Sequence, residues 1–270
     1  MLPLLISTPH SSNHIPDWIM AQMLKHGESE SDLRRRIFKE GDPFTDILFR
    51  IPEAAETVNA PASRFVVDLN RRRDELGNNG VIKLMDFEEK PFYSPDYSLS
   101  PEEREKRLSR YYDPYHETLQ KNLASGRIRF FIDGHSMTTY GPAIGPDRGM
   151  ARPAICIGNL GDVARVRRGV PLSCPTEFVH RLRENLDQLL KNVLAEAGFS
   201  EGVKLNQPFG GGHILEKYSA PPFSIPGVMI EMNRALYLDE ETLIPIPGRI
   251  EKIAQAMKKL AAFALANLIT

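Results

Sequence analysis

Three stretches of this sequence share one shape, an apolar run that ends in side chains able to do chemistry. Phe130-Phe131-Ile132 leads into Asp133-Gly134-His135-Ser136-Met137. Leu4-Leu5-Ile6-Ser7 leads into Thr8-Pro9-His10, and Phe65-Val66-Val67 leads into Asp68-Leu69-Asn70-Arg71. Short apolar and β-branched runs read as buried strands, and open α/β sheets bind ligands beyond the carboxyl ends of their strands. His10 and His135 are therefore candidates for metal ligands or bases; the plainer alternative is a turn histidine satisfied by hydrogen bonds. His14 is bracketed with His10 by Pro9 and Pro16, so the segment reads as a loop and His14 as structural. Asn70-Arg71 suits a clamp on an acidic substrate, because Arg grips a carboxylate bidentately and the neighbouring amide adds a donor. The alternative for that arginine is an ion pair with Asp68 or Asp74.

Carboxylates are the other half of such chemistry. Gly41-Asp42-Pro43-Phe44-Thr45-Asp46 places two of them in a Gly/Pro turn. Helix capping explains Asp42 without function, whereas metal ligation fits a site with two histidines that adds a carboxylate. Val228-Met229-Ile230-Glu231-Met232 carries a Glu among apolar neighbours. Such burial raises a carboxyl pKa and suits a proton shuttle near neutral pH; pairing with Arg234 is the alternative. Residues 138–153, rich in Gly and Pro, form a long loop over the site with Arg148 and Arg152 available. The Gly-rich turn Leu205–His213 lacks the Lys-Ser/Thr of a phosphate loop, so nucleotide binding is rejected there.

The elements that must position these groups alternate between strand and helix. Helices are expected over residues 17–40, with a polar break at 27–31, and over 101–124, entered through Ser100-Pro101-Glu102-Glu103. A third is expected over 176–197, capped by Thr176 and stopped at Gly198, and a fourth over 247–268. Arg34-Arg35-Arg36 reads as a solvated helix face, His180 as a surface residue, and His116 as either pocket lining or packing. A further strand is expected at Ala154–Asn159. The chain has 270 residues, 41% hydrophobic, 26% charged, with 21 prolines. That is ordinary for a globular α/β protein, and one domain over 1–270 is favoured over two. A net charge of −1 argues against a general nucleic-acid binder, which needs a basic excess. Cys156 and Cys174 make no disulfide framework. The N-terminus lacks a signal-peptide pattern and no apolar run is long enough to span a bilayer, which points to a cytoplasmic protein without membrane partners.

In order, Pro9-His10-Ser11-Ser12, Ser63–Arg71, Ile132–Met137, Asn206–Gly212 and Ile230–Tyr237 resemble the motifs of the N-formylglutamate amidohydrolase family, over roughly residues 5–265. The Asp-Leu-Asn-Arg element is also similar to the substrate clamp of zinc carboxypeptidase-like deacylases. The resemblance implies a phosphorylase/hydrolase-like three-layer α/β/α sandwich with a mixed central sheet, one zinc ion, and a small N-acyl amino acid substrate. It implies His10 and His135 as metal ligands, Glu231 as general base and acid, and Asn70 with Arg71 on the substrate carboxylate. Asn13 stands where the carboxypeptidase pattern has a Glu ligand. The resemblance assigns the third ligand to Asp42, with Asp46 as its rival and Asp133 behind a metal-bound histidine. Arg152 is expected to help bind the substrate at its reacting carbonyl. The activity implied is cleavage of N-formyl-L-glutamate to formate and L-glutamate, in histidine breakdown. The competing readings are a zinc peptidase or cell-wall amidase on a larger substrate, and a non-catalytic homologue that binds an acidic metabolite.

Overall fold

The computed structural model describes residues 1–161, 171–220 and 222–268. Its strands are β1 (Leu2–Thr8), β2 (Ala54–Asn59), β3 (Phe130–Met137), β4 (Ile155–Gly158), β5 (Val203–Leu205) and β6 (Gly227–Asn233). They form one sheet in the order β2-β1-β3-β6-β4-β5. β2, β1, β3 and β6 are mutually parallel, β4 runs antiparallel to β6, and β5 is parallel to β4. The expected mixed sheet is thus present. A small antiparallel pair, β7 (Leu238–Asp239) with β8 (Ile244–Pro245), stands apart from it.

The helices are α1 (Asp17–Leu24), α2 (Glu30–Glu40), α3 (Thr45–Leu48), α4 (Pro101–Arg107), α5 (Asp113–Leu123), α6 (Thr176–Glu196), α7 (His213–Ser219) and α8 (Arg249–Asn267). Alternate residues of each central strand feed opposite layers, as the two-residue strand period requires. Leu4, Ile6, Phe130, Ile132, Val228 and Ile230 join the core under α3, α6 and α8. Leu5, Phe131 and Met229 join the one under α1, α2, α5 and α7. The sheet is buried on both faces, which is why its strands read as unbroken apolar runs. Among the described residues no helix is long and apolar enough to cross a membrane.

Four local expectations are corrected. Ser63–Arg71 is not a strand: Val66 and Val67 donate backbone hydrogen bonds back to Ser63 O, at 2.8 and 3.3 Å. Its β-branched residues are buried together in a turn, so their apolar character reflects burial rather than extension. The expected helix over 101–124 is interrupted by a π-helical turn at Leu108–Tyr112, where Asp113 N–H reaches Leu108 O. Pro114 has no N–H to give a regular ladder, and the wider turn accommodates its ring. Thr176 opens α6 without capping it; the residue before the first turn is Pro175, and the helix stops at Gly198 with φ +75°. Arg36 is not solvated. It pairs with Glu28 at 2.5 Å and Asp86 at 3.0 Å over the Phe92 ring. Both cysteines are free and buried.

Candidate metal centre and active site

β1, β3 and β6 run in parallel, so their carboxyl ends meet on one edge of the sheet, and the chemistry collects there. β3 does not stop before its polar residues. Asp133, Gly134, His135 and Ser136 lie within the strand, and its register sets Ser7 beside Asp133 and His135 beside Glu231. By strand alternation Ser7, Asp133, His135 and Glu231 all face the layer of α1, α2, α5 and α7. Gly134 leaves room on the other face, since a Cβ there would lie 2.6 Å from the Phe49 ring. β4 runs the opposite way, so the loop that precedes it arrives at the same edge and delivers Arg152.

His10 follows β1, and its carbonyl accepts a hydrogen bond from Asp42 N–H at 3.1 Å, which ties the Asp42 turn to that loop. The Asp42 side chain caps no helix. Its Oδ2 lies 3.3 Å from His10 Nδ1 and 3.2 Å from His135 Nδ1, and it accepts Ser136 N–H at 3.2 Å. Arg234 holds the turn from behind by donating to Lys39 O and Gly41 O. It does not pair with Glu231. The two rings stand 5.0 Å apart between centroids. Ligand atoms of His10, Asp42 and His135 all lie within 4.8 Å of one another. Asp46 lies outside this trio, half-buried in the first turn of α3.

Each ring has a second carboxylate at its far nitrogen. His10 Nε2 lies 2.8 Å from Asp68 Oδ1, and His135 Nε2 lies 3.0 Å from Asp133 Oδ2. A ring with carboxylates at both nitrogens is satisfied in two ways. Either it carries two protons, or it is neutral with a cation between Nδ1 and Asp42. Two doubly protonated rings this close would repel. One cation on the shared Asp42 face resolves both, and outer carboxylates that fix the ring tautomers are what metal-binding histidines ordinarily have. Asp42 Oδ1 is also buried without a hydrogen-bond partner. The residues fit a divalent ion.

The field agrees. Burial alone would raise the Asp42 carboxyl, yet the hydrogen bond and charge of His10, with His135 and Arg64 nearby, hold it well below the usual carboxylate range. Burial disfavours a charged His135, but Asp133, Asp42 and Glu231 outweigh it and hold that ring well above its ordinary value. The site is an acidic hole that attracts positive charge. Glu231 differs, because burial pushes its carboxyl up and the charge of His135 only partly opposes that. Among the described residues its carboxyl is tied into no hydrogen bond.

His10, Asp42, His135, Asn70, Arg71, Arg152 and Glu231 all line one cavity of about 590 Å³. Asn70 is partly committed: its Oδ1 accepts Ile214 N–H at the start of α7 at 2.9 Å, and its Nδ2 faces His135 Nε2 at 3.4 Å. Gly212 lines the cavity beside it and has no space for a side chain, because a Cβ would collide with the Asn70 amide. Arg71 is a loosely committed arginine. Its nearest carboxylate is Glu75, 3.7 Å from Nε, and that buried Nε has no hydrogen-bond partner. Arg152 grips Asp147 with two N–H groups at 2.7 and 3.0 Å and donates to Thr138 Oγ1 at 3.0 Å, so only part of its fork faces the cavity. His14 and His180 are exposed. His116 is a packing residue on Tyr218 OH and Leu69 O. Sequence reasoning missed Arg64, which lies 3.0 Å from Asp68 and 3.6 Å from Asp42, and Lys83, 3.2 Å from Asp68. Arg64 owes its place to the turn it shares with Asp68, and Lys83 to the packing of the following loop against that turn.

Fold and site together define an α/β enzyme in which a buried His–Asp–His trio faces a carboxyl across a cavity that opens to solvent. Residues 2–238 match the model of the N-formylglutamate amidohydrolase family, and the chain belongs to that family. An N-formylglutamate deformylase of Pseudomonas putida is 29% identical over 88% of this chain and 83% of its own length. A second, of Pseudomonas aeruginosa, is 28% identical over 99% and 93%. The crystal structure of an N-formylglutamate amidohydrolase from Ralstonia eutropha shares the fold, with a TM-score of 0.72 at 21% identity, covering 99% of this chain and 95% of that one.

Proposed function

We propose that this protein hydrolyses N-formyl-L-glutamate to formate and L-glutamate and depends on one divalent ion, zinc, held by His10, Asp42 and His135. The observation that carries the reading is the placement of Glu231, in register beside His135 and in one cavity with the trio. The names of the relatives from both Pseudomonas species support the substrate. When bound, such an ion polarises the carbonyl and eases deprotonation of water. Glu231 accepts the proton of the attacking water at its carboxylate oxygen. It then delivers that proton to the departing amide nitrogen, so that formate and the amino group of glutamate part. Its raised pKa suits both halves of that transfer. Arg71, with the Asn70 amide, holds a carboxylate of the glutamate half and orients the amide. The Arg152 N–H left free by Asp147 and Thr138 faces the reacting carbonyl. Within this reading the enzyme works in the cytoplasm, in histidine breakdown.

Glu231→Gln tests the assignment. It keeps the side chain's shape and removes its proton-accepting ability, so kcat for formate release is expected to fall by about 10²- to 10⁴-fold while zinc content stays that of the wild type. Wild-type turnover in that variant would remove Glu231 from the mechanism.

A further inference from the structure

Lys83 is wholly buried and does not line the cavity. Its ammonium lies 3.2 Å from Asp68 Oδ2, and it also donates to Asn79 Oδ1 and, at 3.4 Å, to Asn79 O. Three donors thus meet three acceptors, and the ammonium lies 5.6 Å from the centre of the Phe87 ring. Asp68 is the carboxylate at the far nitrogen of His10. Its Oδ1 takes His10 Nε2 at 2.8 Å and Asn70 N–H at 3.0 Å, and its Oδ2 takes Arg64 at 3.0 Å besides Lys83. The matching carboxylate behind His135 is built differently. Asp133 receives Ser7 Oγ–H at 2.8 Å on Oδ1, and among the described residues no lysine or arginine pairs with it. Only one of the two histidines is backed by a carboxylate clamped between two cations.

We propose that Lys83 is a positioning residue of the metal site: with Arg64 it fixes Asp68, and through Asp68 it fixes the ring of His10 so that Nδ1 is presented to the Asp42 face. The inference rests on the metal-site reading above. An ammonium this deep is costly to bury unless its partners are fixed, so the pair can be held only in one arrangement. That is what a ring that must present one particular nitrogen requires. The asymmetry makes the effect fall mainly on His10, since Asp68 meets that ring directly and reaches His135, backed by Asp133, only through the Asn70 amide at 3.4 Å.

The test uses the full chain with ¹⁵N-labelled histidine as wild type, Lys83→Met and Lys83→Arg. Two readouts are followed: the ring Nε2–H signals of His10 and His135, and zinc affinity by competition with a chromophoric chelator. Lys83→Met is expected to broaden or abolish the His10 Nε2–H signal, to leave that of His135 in place, and to weaken zinc binding by about 10- to 100-fold. Lys83→Arg, which keeps the charge, is expected to restore most of both. A role confined to general packing would disturb both histidines alike or neither, and either pattern overturns the proposal, as does wild-type zinc affinity in Lys83→Met. If Lys83→Met does not fold, Asn79→Ala loosens the same ammonium without deleting it. It is expected to shift His10 alone in the same direction, and an unchanged His10 there overturns the proposal. Failure of the wild type itself to bind zinc is a separate result that overturns the metal reading beneath it.

Discussion

His10 and His135 each turn one nitrogen to Asp42 and the other to an outer carboxylate, so the orientation of each ring is set from both sides. Arg71 stands in the opposite condition, with its guanidinium on the cavity wall and its nearest carboxylate 3.7 Å away. A cation kept that loosely is available to a ligand, and a charge-assisted hydrogen bond is worth about 1.5–3 kcal/mol. Arg71→Ala is therefore expected to raise KM for N-formyl-L-glutamate by about 10- to 100-fold with a smaller change in kcat. An unchanged KM would place the substrate carboxylate elsewhere. At this scale the legible residues were polar groups set in or just after apolar runs, namely His10, His135, Asn70, Arg71 and Glu231. Asp42 was legible only as one choice beside Asp46. Arg64 and Lys83 were not legible, because what selects them is the fold of the 63–83 segment onto a single carboxylate, Asp68, in a stretch the apolar run made look extended.

At the scale of elements, β3 does the positioning. Strand alternation sends Asp133 and His135 to the site, while Gly134 between them faces Phe49. Gly134→Ala forces a methyl into the Phe49 ring and is expected to cost about 1–3 kcal/mol of stability, read as a lower urea midpoint, with weaker zinc binding because His135 must move with the strand. An unchanged midpoint would show that Phe49 yields freely. The central strands and α6 and α8 could be read from apolar runs and a helical stripe. Ser63–Arg71 was misread as a strand because an apolar run buried on all sides looks alike in a strand and in a turn. β2 was missed because its residues Ala54–Asn59 are mostly half-buried on the sheet edge and show no apolar run.

At the scale of the whole molecule, the layer that backs the site is expected to lose stability in acid. Burial, with the nearby charges of Lys217 and His213, lowers the His116 pKa from 6.5 to about 3. Between those values the unfolded chain binds a proton that the folded chain refuses, so stability is full above pH 6.5 and falls as pH drops through the window. The loss from this group by pH 5 is on the order of 2 kcal/mol. His116→Gln is expected to flatten that part of the curve of urea midpoint against pH. Equal slopes in the two proteins between pH 7 and pH 5 would assign the acid sensitivity to other groups.

The most direct measurement for the account as a whole is formate release from N-formyl-L-glutamate by the purified protein, taken before chelation, after chelation and after zinc is returned. The prediction is turnover with one zinc per chain, loss on chelation and recovery with zinc. Turnover that survives complete removal of metal would contradict the role given to His10, Asp42 and His135, and no formate in any of the three states would contradict the proposed substrate.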